Sequence, residues 1–251
     1  MTVVFVHGNP ESEAIWGPLL AELGRDDVLR LSPPGFGAPV PDGFGATVTE
    51  YRDWLVGELT ELGEPVHLIG HDWGGGHVVN VAMHRPDLLL SWASDVVALF
   101  DPDYVWHDLA QIWQTPEAGE QSLAQMLGGT EAERATGLAG LGFPPDVATA
   151  VAQVQGPDMA RCILALYRSA AQPAMAELGR DLERAAAKPG LAIMANADQF
   201  GSSAGGELTR RSAQRAGATT TELDGLGHWW MLQDPKRGAE AISNFLASVT
   251  A

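Results

Sequence analysis

Short runs of β-branched and other apolar residues recur along the chain at Val3 to Val6, Val28 to Leu31, Val66 to Ile69, Trp92 to Leu99, Leu191 to Ala195 and Thr219 to Leu223. Helix-forming stretches separate them. Continuous apolar strands, as opposed to alternating ones, are buried on both faces, so the rhythm predicts a mostly parallel sheet covered by helices. Thr47-Val48-Thr49-Glu50 has the spacing of a capping box, and Tyr51, Trp54, Leu55, Leu59 and Leu62 then fall on one helical face, which predicts a helix ending near Gly63. Asp234-Pro235 supplies an N-cap and a first-turn proline for a closing helix that carries Ile242, Phe245, Leu246 and Val249.

The strand rhythm lapses between about Asp101 and Pro189. That interval is rich in Ala, Gln and Glu and is interrupted at Gly128-Gly129 and Phe143-Pro144-Pro145. It reads as a helical insertion, a cap over residues 101–189, between two parts of an α/β core at 1–100 and 190–251. No repeat or low-complexity tract is present.

The densest local signal is Leu68-Ile69-Gly70-His71-Asp72-Trp73-Gly74-Gly75-Gly76. An apolar strand runs into a glycine-rich turn and then a helix, which is the nucleophile-elbow pattern with Asp72 at its apex in place of serine. Small residues at 70, 74 and 75 permit the tight turn, and the helix N-terminus brings amides and a positive dipole end beside the carboxylate. Asp198 lies just past the strand ending at Ala195, and His228 lies in a glycine-rich loop past the next strand. Nucleophile, acid and histidine thus occur in the chain order of this fold. A fourth element, Val6-His7-Gly8-Asn9-Pro10-Glu11-Ser12, opens from the first strand toward the elbow. One of its backbone N–H groups and that of Trp73 would form an oxyanion hole.

With these motifs in family order, the chain resembles the epoxide hydrolase and haloalkane dehalogenase branch of the α/β-hydrolase superfamily over nearly its whole length. The resemblance implies an α/β-hydrolase fold, and because almost nothing precedes Val3, a sheet shortened at its N-terminal edge is expected. It also implies that Asp72 forms an alkyl ester, that His228 deprotonates the hydrolytic water, and that Asp198 orients His228. An aspartate favours this chemistry on its own terms. Carboxylate attack on an acyl carbon yields an anhydride, whereas attack on an sp³ carbon yields an ester that water can cleave.

The leaving atom separates two substrate classes. A halide needs paired N–H donors, for which Asn9 and the Trp73 indole are candidates. An opening epoxide needs a proton, for which Tyr167 in Leu166-Tyr167-Arg168-Ser169 is the candidate, with Tyr104 as a possible second donor; the other family tyrosine has no counterpart near Ile112 to Glu117. Tyr104, Trp106, Trp113 and Trp229 are candidate substrate-binding residues. His107 is expected to line the pocket or pack the cap, and His67 and His77 are read as structural. Epoxide hydrolysis is the leading expectation and haloalkane dehalogenation the alternative. A cyclase or isomerase on the same fold, or a ligand-binding receptor, stands further off.

Composition narrows the remaining classes. In 251 residues, 45% are apolar and 19% charged, the balance of a globular protein. Fifteen Lys and Arg against 32 Asp and Glu leave a formal charge of −17, which repels nucleic acid and anionic membrane surfaces. Cys162 is the only cysteine and sits among apolar neighbours, so it reads as a buried thiol in a reducing compartment. Neither a signal peptide nor a membrane-spanning run is evident. The expectation is a cytoplasmic enzyme, monomer or homodimer, that needs no cofactor or metal and takes a small apolar substrate and water.

Overall fold

A computed structural model of the protein describes residues 1–200 and 206–250. Six strands, β1 (Val3–Val6), β2 (Val28–Leu31), β3 (Val66–Gly70), β4 (Leu89–Ser94), β5 (Gly190–Ala195) and β6 (Ala218–Leu223), form one sheet in the order β2-β1-β3-β4-β5-β6. Every neighbouring pair is parallel. The chain therefore has the α/β-hydrolase type of sheet, and its central strands β1 and β3 are wholly buried. Side-chain alternation along β1 divides the core. Val4 and Val6 pack with Leu68 and Trp92 against α2 (Val48–Leu62) and α3 (Trp73–His84), while Val3 and Phe5 pack with Ile69 and Ala93 against α1 (Gly17–Leu23) and the closing helix α12 (Pro235–Thr250).

Local signals set the helix ends. Thr47 accepts from the Glu50 N–H while the Glu50 carboxylate accepts from the Thr47 N–H, the reciprocal pair that satisfies two otherwise orphaned donors, and Gly63 ends α2 in the left-handed region. Asp234 accepts from the Arg237 N–H at 3.1 Å ahead of α12.

The apolar run from Trp92 to Leu99 departs from expectation. It is not one strand: β4 stops at Ser94 and a 3₁₀ turn follows at Val97–Phe100. The Ser94 hydroxyl accepts the Val96 N–H at 3.1 Å, closing a turn at the half-buried Asp95 and Val96, and hydropathy does not reveal the break because Val97–Phe100 beyond it are as buried as the strand.

Residues beyond this turn are helical. They form α4 (Asp108–Gln114), α5 (Ala118–Met126), α6 (Glu131–Gly140), α7 (Pro145–Val154), α8 (Pro157–Ser169) and α9 (Ala174–Leu178), then a 3₁₀ segment at Gly179–Ala187 that leads into β5. Two contacts tie this segment to the core. Arg211 on α10 (Gly206–Arg215) donates from Nε to the buried Asp101 carboxylate at 2.8 Å, and the Trp92 indole N–H donates to the Ala185 carbonyl at 3.1 Å. Cys162 is fully buried on α8, and Tyr51 is buried with its hydroxyl donating to the Pro34 carbonyl at 2.8 Å. Among the described residues no helix is long and apolar enough to cross a membrane.

Glycines fix how closely α3 approaches the sheet. A Cβ on Gly74 would overlap the Val6 and His7 carbonyls, and one on Gly70 would overlap the Gly74 carbonyl. Gly74→Ala must push α3 off β1, and overpacking of this kind costs about 1–3 kcal/mol. For a domain of this size the thermal midpoint is expected to fall by about 2–12 °C, read by circular dichroism.

Candidate active site

Asp72 stands between β3 and α3 with φ 49° and ψ −128°, a conformation that lifts its side chain above the carboxyl ends of the strands. The loop after β1 closes over it. The Asn9 N–H donates to Asp72 Oδ1 at 3.0 Å, and a Cβ on Gly8 would overlap that same carboxylate, which accounts for the glycine in the His-Gly-Asn-Pro run.

The acid and histidine come from adjoining loops. Asp198 follows β5 and accepts the Phe200 N–H at 2.7 Å; His228 follows β6. The loops are stitched together by the Ala197 N–H on the Leu226 carbonyl at 2.9 Å and the Gly225 N–H on the Asn196 side chain at 2.8 Å. In that frame His228 Nδ1 donates to Asp198 Oδ2 at 2.9 Å, and His228 Nε2 lies 3.9 Å from Asp72 Oδ2. The three residues therefore meet in the series Asp72, His228, Asp198.

Beneath them lies a buried group that motif reasoning did not assign. His71 donates from Nδ1 to Asp95 Oδ2 and from Nε2 to Glu11 Oε1 at 3.3 Å, with its ring centroid 4.6 Å from that of His228. Asp95 also accepts the Asp72 N–H at 3.0 Å and the Trp230 indole N–H at 2.8 Å. Glu11 accepts the Gly8 N–H at 3.3 Å and the Trp229 indole N–H. Glu11 and His71 were visible in the two quoted motifs, and Asp95, like Asp198, is an acid just past a strand.

Burial alone would disfavour a charged His71 ring, but the flanking Asp95 and Glu11 carboxylates outweigh it and hold His71 well above the usual histidine range. Burial pushes the Asp72 carboxyl up to about 6, against the pull of His228 and His71. For His228, burial opposes the charge and the Asp198 hydrogen bond overcomes it, so its ring is raised. Asp198 is lowered despite burial by the same bond.

Above Asp72 is a cavity of about 450 Å³, walled by Asn9, Tyr167, Trp113 and Trp229 among others. Both atoms of the buried Asn9 side-chain amide lack a hydrogen-bond partner. Burial and the Asp72 charge raise the Tyr167 phenol, partly offset by the adjacent Trp73 and Asn9 side chains. Tyr104 and Trp106, expected against substrate, stand behind the wall: Trp106 stacks on Trp73 at 5.7 Å and meets Tyr167 at 5.4 Å, and Tyr104 packs edge-on against Trp106 at 5.2 Å. Trp106 is buried against Trp73 and Tyr104 against Trp106, so each ring is covered by an aromatic neighbour. Trp73 itself supports Tyr167 edge-on at 5.4 Å. His107 is on the wall and also caps α4, where Nδ1 accepts the Ala110 N–H at 3.2 Å, so its neutral ring carries the proton on Nε2. His67 bonds Ser91 at 2.8 Å and His77 stacks on Tyr51, away from the cavity. Glu11, His71 and His228 are close enough to hold a metal ion in principle, but both His71 nitrogens already donate to carboxylates.

Residues 3–241 match the model of the alpha/beta hydrolase family. The protein is an α/β hydrolase. This α/β hydrolase is 35% identical over 144 residues to the Mycobacterium tuberculosis protein named "Probable oxidoreductase EphD", a stretch covering 50% of the chain and 23% of that protein. It is 38% identical over 98 residues to epoxide hydrolase 3 of Siraitia grosvenorii, covering 34% of the chain and 28% of the relative. The matched region thus spans about a quarter of these relatives' length. In fold it superposes on haloalkane dehalogenase DbeA from Bradyrhizobium elkani with a TM-score of 0.72 at 20% identity, covering 99% of this hydrolase and 90% of that chain.

The His71 clamp has a measurable consequence. ¹⁵N NMR of the imidazoles is expected to show His71 protonated on both nitrogens at pH 8. Asp95→Asn removes one of the two anions that hold the charge, so the His71 titration should move down toward the usual histidine range. A wild-type His71 that titrates as an ordinary histidine would contradict the clamp.

Proposed function

We propose that this α/β hydrolase opens epoxides to diols through an ester on Asp72, with residues 101–189 serving as a cap over the reacting groups. The observation that carries the reading is the setting of the elbow carboxylate: one oxygen is held by the Asn9 N–H and the other lies 3.9 Å from His228 Nε2. Asp72 Oδ2, the oxygen without the amide bond, attacks an epoxide carbon. The C–O bond to the ring oxygen breaks, and Tyr167 protonates that oxygen. His228 then takes a proton from water, and the resulting hydroxide adds to Asp72 Cγ. Negative charge gathers on Oδ1, where the Asn9 N–H, aided by the N-terminal amide of α3 at Trp73, stabilises it. Collapse of this adduct expels the ester oxygen, which takes the proton held by the Asp198-stabilised His228 imidazolium, and the proton left on the Asp72 carboxyl returns to the Tyr167 phenolate, so the diol leaves with all three groups restored.

The unpartnered Asn9 side chain favours a second reading, haloalkane dehalogenation, in which the Asn9 Nδ2–H and the Trp73 indole N–H receive a departing halide. The two readings share Asp72, His228 and water and differ only at the leaving atom. Similarity in sequence to a named epoxide hydrolase supports the first.

Incubating His228→Gln with a panel of epoxides and haloalkanes is expected to trap the Asp72 ester, visible by intact-mass spectrometry, because the water has lost its base. A panel that is turned over with no adduct in the variant would overturn the aspartyl-ester reading. Among substrates that do alkylate, Tyr167→Phe should slow epoxide opening by about 10²–10⁴-fold, the range for loss of a general acid, with Asn9→Ala having the smaller effect. A reversal of that order would select halide expulsion.

The two half-reactions should also separate with pH. Asp72 attacks as the carboxylate, and its pKa of about 6 makes alkylation fall as pH drops below that value. Hydrolysis needs neutral His228, whose pKa is raised, so hydrolysis fails first as pH falls from 8 toward 6.5. Rapid-quench measurements on the wild type should therefore find more ester at steady state at pH 6.5 than at pH 8.

A further inference from the structure

The cavity wall carries one Lys or Arg among the described residues, Arg134 on α6, in a chain whose formal charge is −17. Most arginines of this protein pair with a carboxylate, but Arg134 has none within ion-pair distance among the described residues. Its guanidinium is held by backbone instead: Nη1 donates to the Gly129 carbonyl at 2.9 Å and Nη2 to the Ala152 carbonyl at 3.1 Å. Nε is buried without a partner. The adjacent Glu133, also on the wall, is engaged at the start of α6, where its carboxylate accepts the Thr130 N–H at 2.7 Å and the Thr130 hydroxyl at 2.9 Å.

A guanidinium fixed by two backbone carbonyls, with no carboxylate paired to it among the described residues and with Nη hydrogens to spare on the wall of the cavity, is suited to an anionic ligand. Guanidinium–carboxylate contacts are among the stronger charge-assisted hydrogen bonds, and a buried N–H left unpaired is costly. The path from Arg134 to the nucleophile is short. Ala152, which holds Nη2, lies three residues before Gln155 at the end of α7, and Gln155 Nε2 donates to the Pro10 carbonyl at 2.9 Å. Pro10 follows Asn9, whose N–H holds Asp72. The residues that anchor Arg134 and the nucleophile loop are therefore three apart in sequence, at the C-terminal end of α7. Leu138, Leu141 and Phe143 supply apolar wall beside it.

We propose that Arg134 binds a carboxylate at one end of the substrate, so that the natural substrate is a short-chain carboxylic acid bearing its electrophilic carbon near the other end. The inference rests on the reading of Asp72 as the alkylated group only for where the electrophile goes. Binding of the carboxylate is independent of it.

Unreactive straight-chain alkanoates of four to ten carbons and their methyl esters serve as probes, with affinities from isothermal titration calorimetry or from competition against any substrate that is turned over. The wild type is expected to prefer the carboxylate over its methyl ester, with an optimum chain length. Arg134→Gln should reduce that preference about tenfold or more, and Arg134→Lys, which keeps the charge without the planar fork, should reduce it less. Thermal melts show whether each variant folds. A purely structural Arg134, pinning α6 to α7, would lower the melting temperature and affect acid and ester alike. If Arg134→Gln does not fold, the wild-type preference and its change in Arg134→Lys decide. Wild-type protein that binds the acids no better than their esters, or a preference untouched by both substitutions, would overturn the proposal. Loss of the Asp72 adduct with intact alkanoate binding would instead remove the ester reading and leave this one standing.

Discussion

The backbone at Asp72 is the constraint on which the rest of the site depends. A non-glycine residue at φ 49° and ψ −128° is held against its own preference, at about 1–3 kcal/mol for such conformations. Three kinds of contact hold it there. Glycines at 70 and 74 let strand, turn and helix approach closely enough to close the bend. The Asp95 carboxylate takes the Asp72 N–H from below, and the Asn9 N–H takes the carboxylate from above. These contacts come from β1, β3, β4 and the loops that follow them, so the elbow is strained only because the central sheet over-determines it.

Charge is arranged around that bend by alternation. Asp198, His228 and Asp72 form one series and Asp95, His71 and Glu11 a second, and the two imidazole rings pack against each other. Four carboxylates at the centre of an acidic protein would repel one another and take up protons at ordinary pH. The imidazolium of His71, satisfied at both nitrogens, offsets part of that repulsion and helps keep the Asp72 carboxyl no higher than about 6. His228 is left as the histidine that approaches the Asp72 carboxylate, with Nε2 3.9 Å from Oδ2.

Stacking of Trp106 and Tyr104 behind Trp73 has a related effect. It stiffens the support under Tyr167 and leaves the wall to Trp113, Trp229 and the helices α5 and α6, which bring both apolar surface and Arg134 to the cavity. The core thus carries Asp72, His228 and Asp198, and the helical segment carries most of the remaining cavity wall, Tyr167 included.

The sequence by itself determined five of the six strands nearly to the residue, the capped helix after Thr47, the glycine-lined bend at Asp72 and the order in which Asp72, Asp198 and His228 occur. Each is written in neighbouring residues: β-branched runs, a capping box, a glycine cluster, an acid or histidine just past a strand. The run at Trp92 to Leu99 misled because a buried turn and a buried strand share one hydropathy. Only the tertiary structure decided that Asp95 and Glu11 would share His71, that Tyr104 and Trp106 would stand behind the cavity wall, and that Arg134 would reach it without an ion-pair partner among the described residues. Those outcomes join side chains many residues apart, fixed by the parallel register of the sheet and by how the helices between Asp101 and Pro189 pack across it. No spacing along the chain encodes them, because sequence period constrains which face a residue occupies and not which distant residue it meets there.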